Sequence, residues 1–336
     1  MTLLFDKHRL VHSPALAPTH LRDADQFDSR KNADAVLTIG LINNMPDPAL
    51  QATERQFTRL LTAAAGNNRI QLHCFSLPSV KRSEAAKYRL DRQYTDIAEL
   101  RRLRIDGLIV TGAEPNAATL AEEPFWQELT EIIDWAKTNT RSTIWSCLAA
   151  HAAVLHLDGI ERHRLAAKCS GVYDCAKVGD HWLTRDVTSP LKIAHSRLNE
   201  LRAGDLAACG YQLLTESPEA GVDIFAKQFS SRFIFFQGHP EYDALSLQRE
   251  YLRDITRFLG RERDHFPAFP HGYFDRETEH KLAGFRKRAS AERKLPLSAE
   301  LPNLRLRPDI AAGAAAAAIF ENWLEYLSIS GCSKAA

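Results

Sequence analysis

Cys147 stands where a thiol can act as a nucleophile. It follows the β-branched run Ser142-Thr-Ile-Trp-Ser146 and opens the small-residue run Leu148-Ala-Ala-His-Ala-Ala-Val-Leu155. That order reads as a buried strand turning directly into a helix. At such a junction the side chain projects above the C-terminal edge of a sheet. The first N–H groups of the helix, Leu148 foremost, then face the atom under attack and can hold an oxyanion. The partial positive charge of a helix N-terminus favours thiolate. Local sequence alone is equally compatible with a buried cysteine closing a core strand.

A cysteine nucleophile needs a base oriented by a third group. Gln237-Gly-His239-Pro-Glu241-Tyr-Asp243 follows the apolar strand Arg232–Phe236 and supplies both. His239 sits where a strand ends, Glu241 can turn its carboxylate back to the imidazole, and Pro240 stiffens the connection. The other histidines are weaker candidates. His151 lies one turn into the same helix as a packing residue, His195 could line a pocket, and His8, His12, His20, His265, His271 and His280 read as surface residues. No metal site is indicated: the six cysteines contain no CxxC pair, and Cys169 and Cys175 lack partners at zinc spacing. A Cys-His-Glu set supports glutamine-dependent amide transfer or acyl transfer from a thioester. The first usually has glycines flanking the nucleophile; here the flanks are Trp145 and Ala149, which leans towards acyl transfer.

These residues must be positioned by an α/β scaffold. Ala35–Ile42, Ile70–Leu77, Gly107–Thr111 and Ser142–Ser146 read as buried strands. Helical spacing over Ala49–Ala65 (Leu50, Phe57, Leu60, Leu61 and Ala64 on one face), Trp126–Thr138 and Leu148–Leu157 separates them. Alternation of this kind implies a parallel sheet covered by helices on both faces. Residues 81–104 carry eight Lys/Arg against four Asp/Glu, which reads as a solvated helix or loop rather than an anion site. After about residue 160 the pattern changes, with short strands at Gly221–Lys227 and Arg232–Gln237. Helices follow at Ala244–Leu259, around 277–292, and from about Ala311 to Leu327. The expected organisation is an arm over 1–34, one α/β unit over 35–260 and a helical extension over 261–336 packing on the same unit.

Composition excludes several classes. Of 336 residues, 43 are Lys or Arg and 42 Asp or Glu, a net charge of +1 that argues against nucleic acid as a partner. No apolar window reaches the roughly 18 residues of a membrane span; the alanine-rich stretch Ala311–Phe320 ends at Glu321. Met1-Thr-Leu-Leu-Phe5 meets Asp6, Lys7, His8 and Arg9 directly, so it is no signal peptide, and sparse cysteine fits a cytoplasmic protein.

The sequence resembles the homoserine O-succinyltransferase family. The matching stretches include Asn44-Met-Pro46, Asp106-Gly-Leu-Ile-Val-Thr-Gly-Ala113, Cys147 with Ala152-Ala153, and Lys168 with Ser170-Gly-Val-Tyr173. They continue through His195-Ser-Arg197, Gly238-His-Pro-Glu-Tyr-Asp-Ala244, Arg253-Asp254 and Asn322-Trp-Leu324. The resemblance covers about residues 35–327. It implies a class I glutamine-amidotransferase-like (flavodoxin-like) three-layer fold, with an open, mostly parallel sheet. It also implies a homodimer, no bound cofactor, and acyl-CoA as co-substrate for succinyl transfer to homoserine in methionine biosynthesis. By the same carry-over Cys147 forms the acyl-thioester, His239 is the general base and Glu241 orients it. Lys168, Ser196 and Arg253 match positions that bind the amino-acid acceptor, and Asn116 falls near the position that separates succinyl from acetyl donors. The chain departs from the pattern in its substrate shell. Lysines usual after Met-Pro are absent from Met45-Pro-Asp-Pro-Ala-Leu-Gln-Ala-Thr53, Leu148 replaces Trp, His151 replaces Gln, and Asn116 is neither Gly nor Glu. A Trp-Arg-Ser-His stretch before the last helix is also missing. Acetyl-CoA as donor, another hydroxy-amino acid such as serine or a specialised metabolite as acceptor, an amidotransferase-like enzyme and an inactive binding module are the alternatives.

Overall fold

The computed structural model describes residues 3–4, 36–308 and 314–329. Most of the 1–34 arm and the start of the last helix at Ala311 therefore lie outside the described residues. Ten strands run in chain order. They are β1 (Leu3–Leu4), β2 (Val36–Ile42), β3 (Arg69–Phe75), β4 (Gly107–Thr111), β5 (Ser142–Ser146), β6 (His163–Lys177), β7 (Leu191–Glu200), β8 (Gln212–Ser217), β9 (Gly221–Gln228) and β10 (Arg232–Phe236). The helices are α1 (Asp47–Ala64), α2 (Glu84–Gln93), α3 (Trp126–Asn139), α4 (Leu148–Asp158), α5 (Ala203–Ala208), α6 (Ser246–Leu259), α7 (Arg276–Glu292) and α8 (Ala314–Ile329).

The strands form one sheet in the order β1-β3-β2-β4-β5-β10-β9-β8-β6-β7. From β1 to β10 every pairing is parallel; beyond β10 every pairing is antiparallel. The parallel half explains its own sequence. A strand buried on both faces must be apolar throughout, and alternate residues feed two separate cores. Leu37, Ile39, Leu41, Ile109, Ile144, Ile234 and Phe236 face α1 and α8. Ile42, Leu108, Val110, Trp145, Phe233 and Phe235 face α3 and α4. Each such side chain contributes roughly 1.5–3 kcal/mol by leaving water. A third cluster joins α6 to α7 through Tyr251, Phe258, Phe266, Phe274, Leu282 and Phe285.

The C-terminal helix α8 is tied to the sheet by polar contacts as well. Trp323 Nε1 donates to Ser142 Oγ at 3.0 Å, and Asn322 Nδ2 donates to the carbonyls of Leu183 (2.9 Å) and Arg185 (2.8 Å). In the basic segment 81–104, α2 buries Ala86 alone and is otherwise a solvated helix. Arg89, paired with Glu54 at 2.9 Å, and Arg82 are exceptions in this stretch. The Arg82 guanidinium is buried against Asp47 (3.2 Å), Ser76 Oγ (2.9 Å) and the carbonyls of Asn43 and Met45.

Four strands depart from the expected pattern: β1, which lies in the stretch expected to be an irregular arm and pairs with β3, and β6, β7 and β8. The last three lack a continuous apolar run: β6 is exposed or half-buried over 163–170, is buried only at Gly171, Val172, Tyr173 and Cys175, and carries Arg164 and Lys168. Such a strand exists because a neighbour pairs with it, here β7 along most of its length.

Candidate active site

The parallel pairing of β5 with β10 brings the two distant motifs together. Ser146 is in register with Phe236, so Cys147 and Gln237-Gly238-His239 leave the sheet side by side at its C-terminal edge. Cys147 is pinned there by its own N–H, which donates to the Phe236 carbonyl at 2.7 Å. It holds φ = 51°, ψ = −111° as the residue capping α4. A non-glycine residue in this region carries backbone strain of about 1–3 kcal/mol, and such strain clusters at functional sites. The turn leaves the sulfur half-buried above the first turn of α4, whose N–H groups have no intrahelical partner. The loop after β4 closes over the same spot: a Cβ on Gly112 would stand 2.5 Å from Leu148 Cβ and 3.2 Å from its backbone nitrogen. Only glycine allows the two backbones to approach this closely.

His239 is buried, and three contacts set its position. Its N–H donates to the Ala194 carbonyl at 2.7 Å, its Nδ1 lies 2.9 Å from Glu241 Oε1, and its ring stacks on Tyr242 with centroids 4.2 Å apart. With Nδ1 turned to Glu241, Nε2 is the nitrogen left to face the sulfur. Burial pushes the His239 pKa down, but the charges of Glu241 and Cys147 outweigh it and hold the pKa well above its ordinary value. The imidazolium is thus stabilised beside the thiol. His151, one turn along α4, behaves in the opposite way. Burial and the Arg197 charge depress it to about 3, so it is neutral, and it meets Gln237 Oε1 at 3.1 Å. Gln237 is itself fully braced by Leu201 and Val222.

Lys168, Ser196 and Arg253 converge on one helix face. Lys168 Nζ lies 3.3 Å from Glu250 Oε2 and 3.2 Å from Asp254 Oδ2. Ser196 Oγ donates to Glu250 Oε2, and Tyr242 Oη donates to Glu250 Oε1 at 2.5 Å. Burial pushes Glu250 upward, but Lys168, Ser196 and Tyr242 together hold its carboxyl below the usual range. The ammonium of Lys168 is therefore already engaged by two carboxylates. Arg253, half-exposed with a 3.5 Å contact to Asp254 Oδ1, is the more open cation. Sequence reasoning missed Glu250. The residue pairs with Asp254 at i, i+4 on an amphipathic helix, which reads as a solvated face until β6 and β7 are laid across it. Through Tyr242, stacked on His239, Glu250 is one hydrogen bond removed from the proposed base.

Asn116 is exposed on the loop after β4, its N–H donating to Glu123 Oε1 at 2.6 Å. His195 lines no pocket in this site: it is fully buried, with Nε2 3.3 Å from Asp223 Oδ1 and 3.9 Å from Cys175 Sγ. This cluster packs under the backbone of Gly238, where a Cβ would stand 2.6 Å from Asp223 Oδ1. It thereby supports the residue preceding His239.

The pattern of the homoserine O-succinyltransferase family matches residues 8–332. A homoserine O-succinyltransferase of Rhodopseudomonas palustris is 59% identical over 326 residues, covering 96% of this chain and 98% of that protein. One of Bradyrhizobium japonicum is 58% identical over 329 residues, covering 98% and 99%. Among solved structures, a glutamine amidotransferase of Methylobacillus flagellatus aligns with 86% of this chain and 94% of its own, at 15% identity and a TM-score of 0.48. On the family pattern and the near full-length identity of these relatives, the chain belongs to the homoserine O-succinyltransferase family.

Proposed function

We propose that this enzyme transfers a succinyl group from acyl-CoA to the side-chain hydroxyl of homoserine through an acyl-thioester on Cys147. The observation that carries the reading is the buried His239–Glu241 pair, 2.9 Å apart, facing a strained cysteine at the N-terminus of α4. In the first half-reaction the Cys147 sulfur attacks the thioester carbonyl. The oxyanion forms beneath the Leu148 N–H and the Gly112 loop, and the CoA sulfur leaves with the proton held by the His239 imidazolium. In the second, the acceptor hydroxyl gives its proton to His239 Nε2 as its oxygen attacks the acyl carbonyl. Collapse of the second tetrahedral species returns Cys147 to the thiolate and releases the ester. Glu241 offsets the imidazolium charge in both directions.

Charge complementarity supports an amino-acid acceptor. Arg253, half-exposed on α6, suits its carboxylate. The reading includes a homodimer, which rests on the resemblance, and a cytoplasmic setting, which rests on sparse cysteine.

The test is intact-mass analysis after mixing the enzyme with succinyl-CoA and no acceptor. A succinyl adduct on the Cys147 peptide, absent from Cys147→Ala and discharged by homoserine, is the expected result. Absence of an adduct with succinyl-, acetyl- and propionyl-CoA alike would overturn the reading. Discharge by serine but not homoserine would replace the acceptor while leaving the chemistry in place.

A further inference from the structure

The transfer steps use the edge of the His239 imidazole; its face belongs to Tyr242. The Tyr242 N–H donates to the His239 carbonyl at 3.2 Å, closing a turn over His239-Pro240-Glu241-Tyr242. Proline at the second position of such a turn pre-sets its backbone. The turn brings its first and last side chains together. Their rings lie 4.2 Å apart, centroid to centroid, and 20° from parallel.

That contact restrains what the bond to Glu241 leaves free. A hydrogen bond to Nδ1 at 2.9 Å fixes one atom of the ring. The imidazole can still swing about that atom, because the torsion that sets the ring plane has a broad minimum. Such a swing carries Nε2 away from Cys147. A second ring lying flat on the imidazole blocks it, and an aromatic face also attracts the imidazolium formed in each half-reaction.

Tyr242 is held in turn at its far end. Its hydroxyl donates to Glu250 Oε1 at 2.5 Å, the length of a bond to a charged carboxylate. Glu250 is fixed through its other oxygen by Ser196 and by Lys168 at 3.3 Å. A line of contacts thus runs from Lys168 on β6 and Ser196 on β7, through Glu250 on α6, to the face of the base.

We propose that Tyr242 is a positioning residue of acyl transfer, aiming His239 Nε2 at Cys147, and that Lys168 and Ser196 act on the base by holding Glu250 and, through it, the Tyr242 ring. The inference rests on the acyltransferase reading and deepens it. These side chains then serve both half-reactions, whereas a contact to the acceptor serves only the second.

The experiment separates the half-reactions in the wild type, Tyr242→Phe, Tyr242→Leu, Glu250→Gln and the Tyr242→Phe, Glu250→Gln double variant. Acylation of Cys147 by succinyl-CoA without acceptor, and discharge by homoserine or serine, are each followed by mass in single turnovers. Thermal melting monitors folding. Tyr242→Leu removes the ring and is expected to slow both steps by about 10²-fold, with the half-saturating acceptor concentration within about 2-fold of wild type. Tyr242→Phe keeps the stack, loses the tie to Glu250, and is expected to slow both steps by about 10-fold. Because Glu250 acts through the Tyr242 hydroxyl, the double variant is expected within about 3-fold of the slower single variant. Slowing of discharge alone, Tyr242→Leu rates within about 3-fold of wild type, or losses that multiply in the double variant would overturn the inference while the acyltransferase reading stands. Should Tyr242→Leu lose its cooperative melt, Tyr242→Phe decides: equal slowing of both steps supports the role, and unchanged rates or slowing of discharge alone overturn it. Failure of succinyl-, acetyl- and propionyl-CoA alike to acylate wild-type Cys147 would remove both.

Discussion

Glu241→Gln isolates the charge of Glu241 from its shape. In the native site Glu241 Oε1 lies 2.9 Å from His239 Nδ1, with both residues buried. At an effective dielectric constant of about 20, opposite unit charges at that distance attract by about 6 kcal/mol. The amide keeps one hydrogen bond but loses this attraction. If its NH2 turns to Nδ1, it also imposes the tautomer with hydrogen on Nε2, which cannot accept the hydroxyl proton. Replacing the acid of a catalytic triad by its amide costs about 10⁴-fold in kcat in a well-studied protease, equivalent to about 5.5 kcal/mol. We therefore expect Glu241→Gln to slow acyl transfer by about 10³- to 10⁴-fold, with the acceptor KM nearly unchanged.

The pH dependence gives an independent readout. The wild-type imidazolium persists above its ordinary pKa of 6.5 and places a positive charge beside the reacting sulfur. Alkylation of Cys147 by iodoacetamide should thus remain fast at about pH 6–7. In Glu241→Gln it should be slow there and climb with pH. The sign for stability agrees. A raised folded-state pKa contributes stability in full below about 6.5, and that contribution is lost as the pH rises through the folded value. The melting difference between the two proteins should shrink in alkali. Alkylation at pH 6.5 within about 3-fold of wild type, together with a fall in transfer rate below 10-fold, would refute the reasoning.

Three further outcomes follow from the same geometry. Gly112→Ala places a methyl 2.5 Å from Leu148 Cβ and forces the two backbones apart; kcat should fall by about 10²-fold or more, measured as the rate of CoA-thiol release. Lys168→Met takes the cation from Glu250, while Asp254 keeps Arg263 at 2.8 Å, and should cost about 2–3 kcal/mol in urea unfolding, less than a fully buried pair loses. Despite burial, both carboxyls are held below their ordinary values of 4.5 and 3.8, chiefly by Lys168. Their contribution is complete above those values and is lost as the pH falls through the folded ones, so the variant should begin acid unfolding at higher pH. Trp323→Ala removes a fully buried ring and its hydrogen bond to Ser142; it should lower stability by about 3–5 kcal/mol, read from the denaturation midpoint.

The sequence by itself determined strands β2 to β5 and β10 of the parallel half and the junction at Cys147. Gly107–Thr111 and Ser142–Ser146 have the predicted bounds, and the helix after Cys147 ends at Gly159 as its αL cap requires. These elements are legible because a strand buried on both faces must be apolar throughout and a helix end must be capped; both demands are local. His239 and Glu241 are two residues apart, so their contact was also within the reach of local reasoning.

Tertiary structure alone decided the rest. The meeting of Cys147 with His239 depends on β10 lying next to β5, although β10 follows β5 only after four intervening strands. Strands β6 to β8 take their existence from neighbours across the sheet rather than from their own composition. The engagement of Lys168 by Glu250 and Asp254 joins a strand to a helix far along the chain. Side-chain charge is visible in a sequence, but its partner and its solvent are properties of the packed chain, and they decide what each charge does.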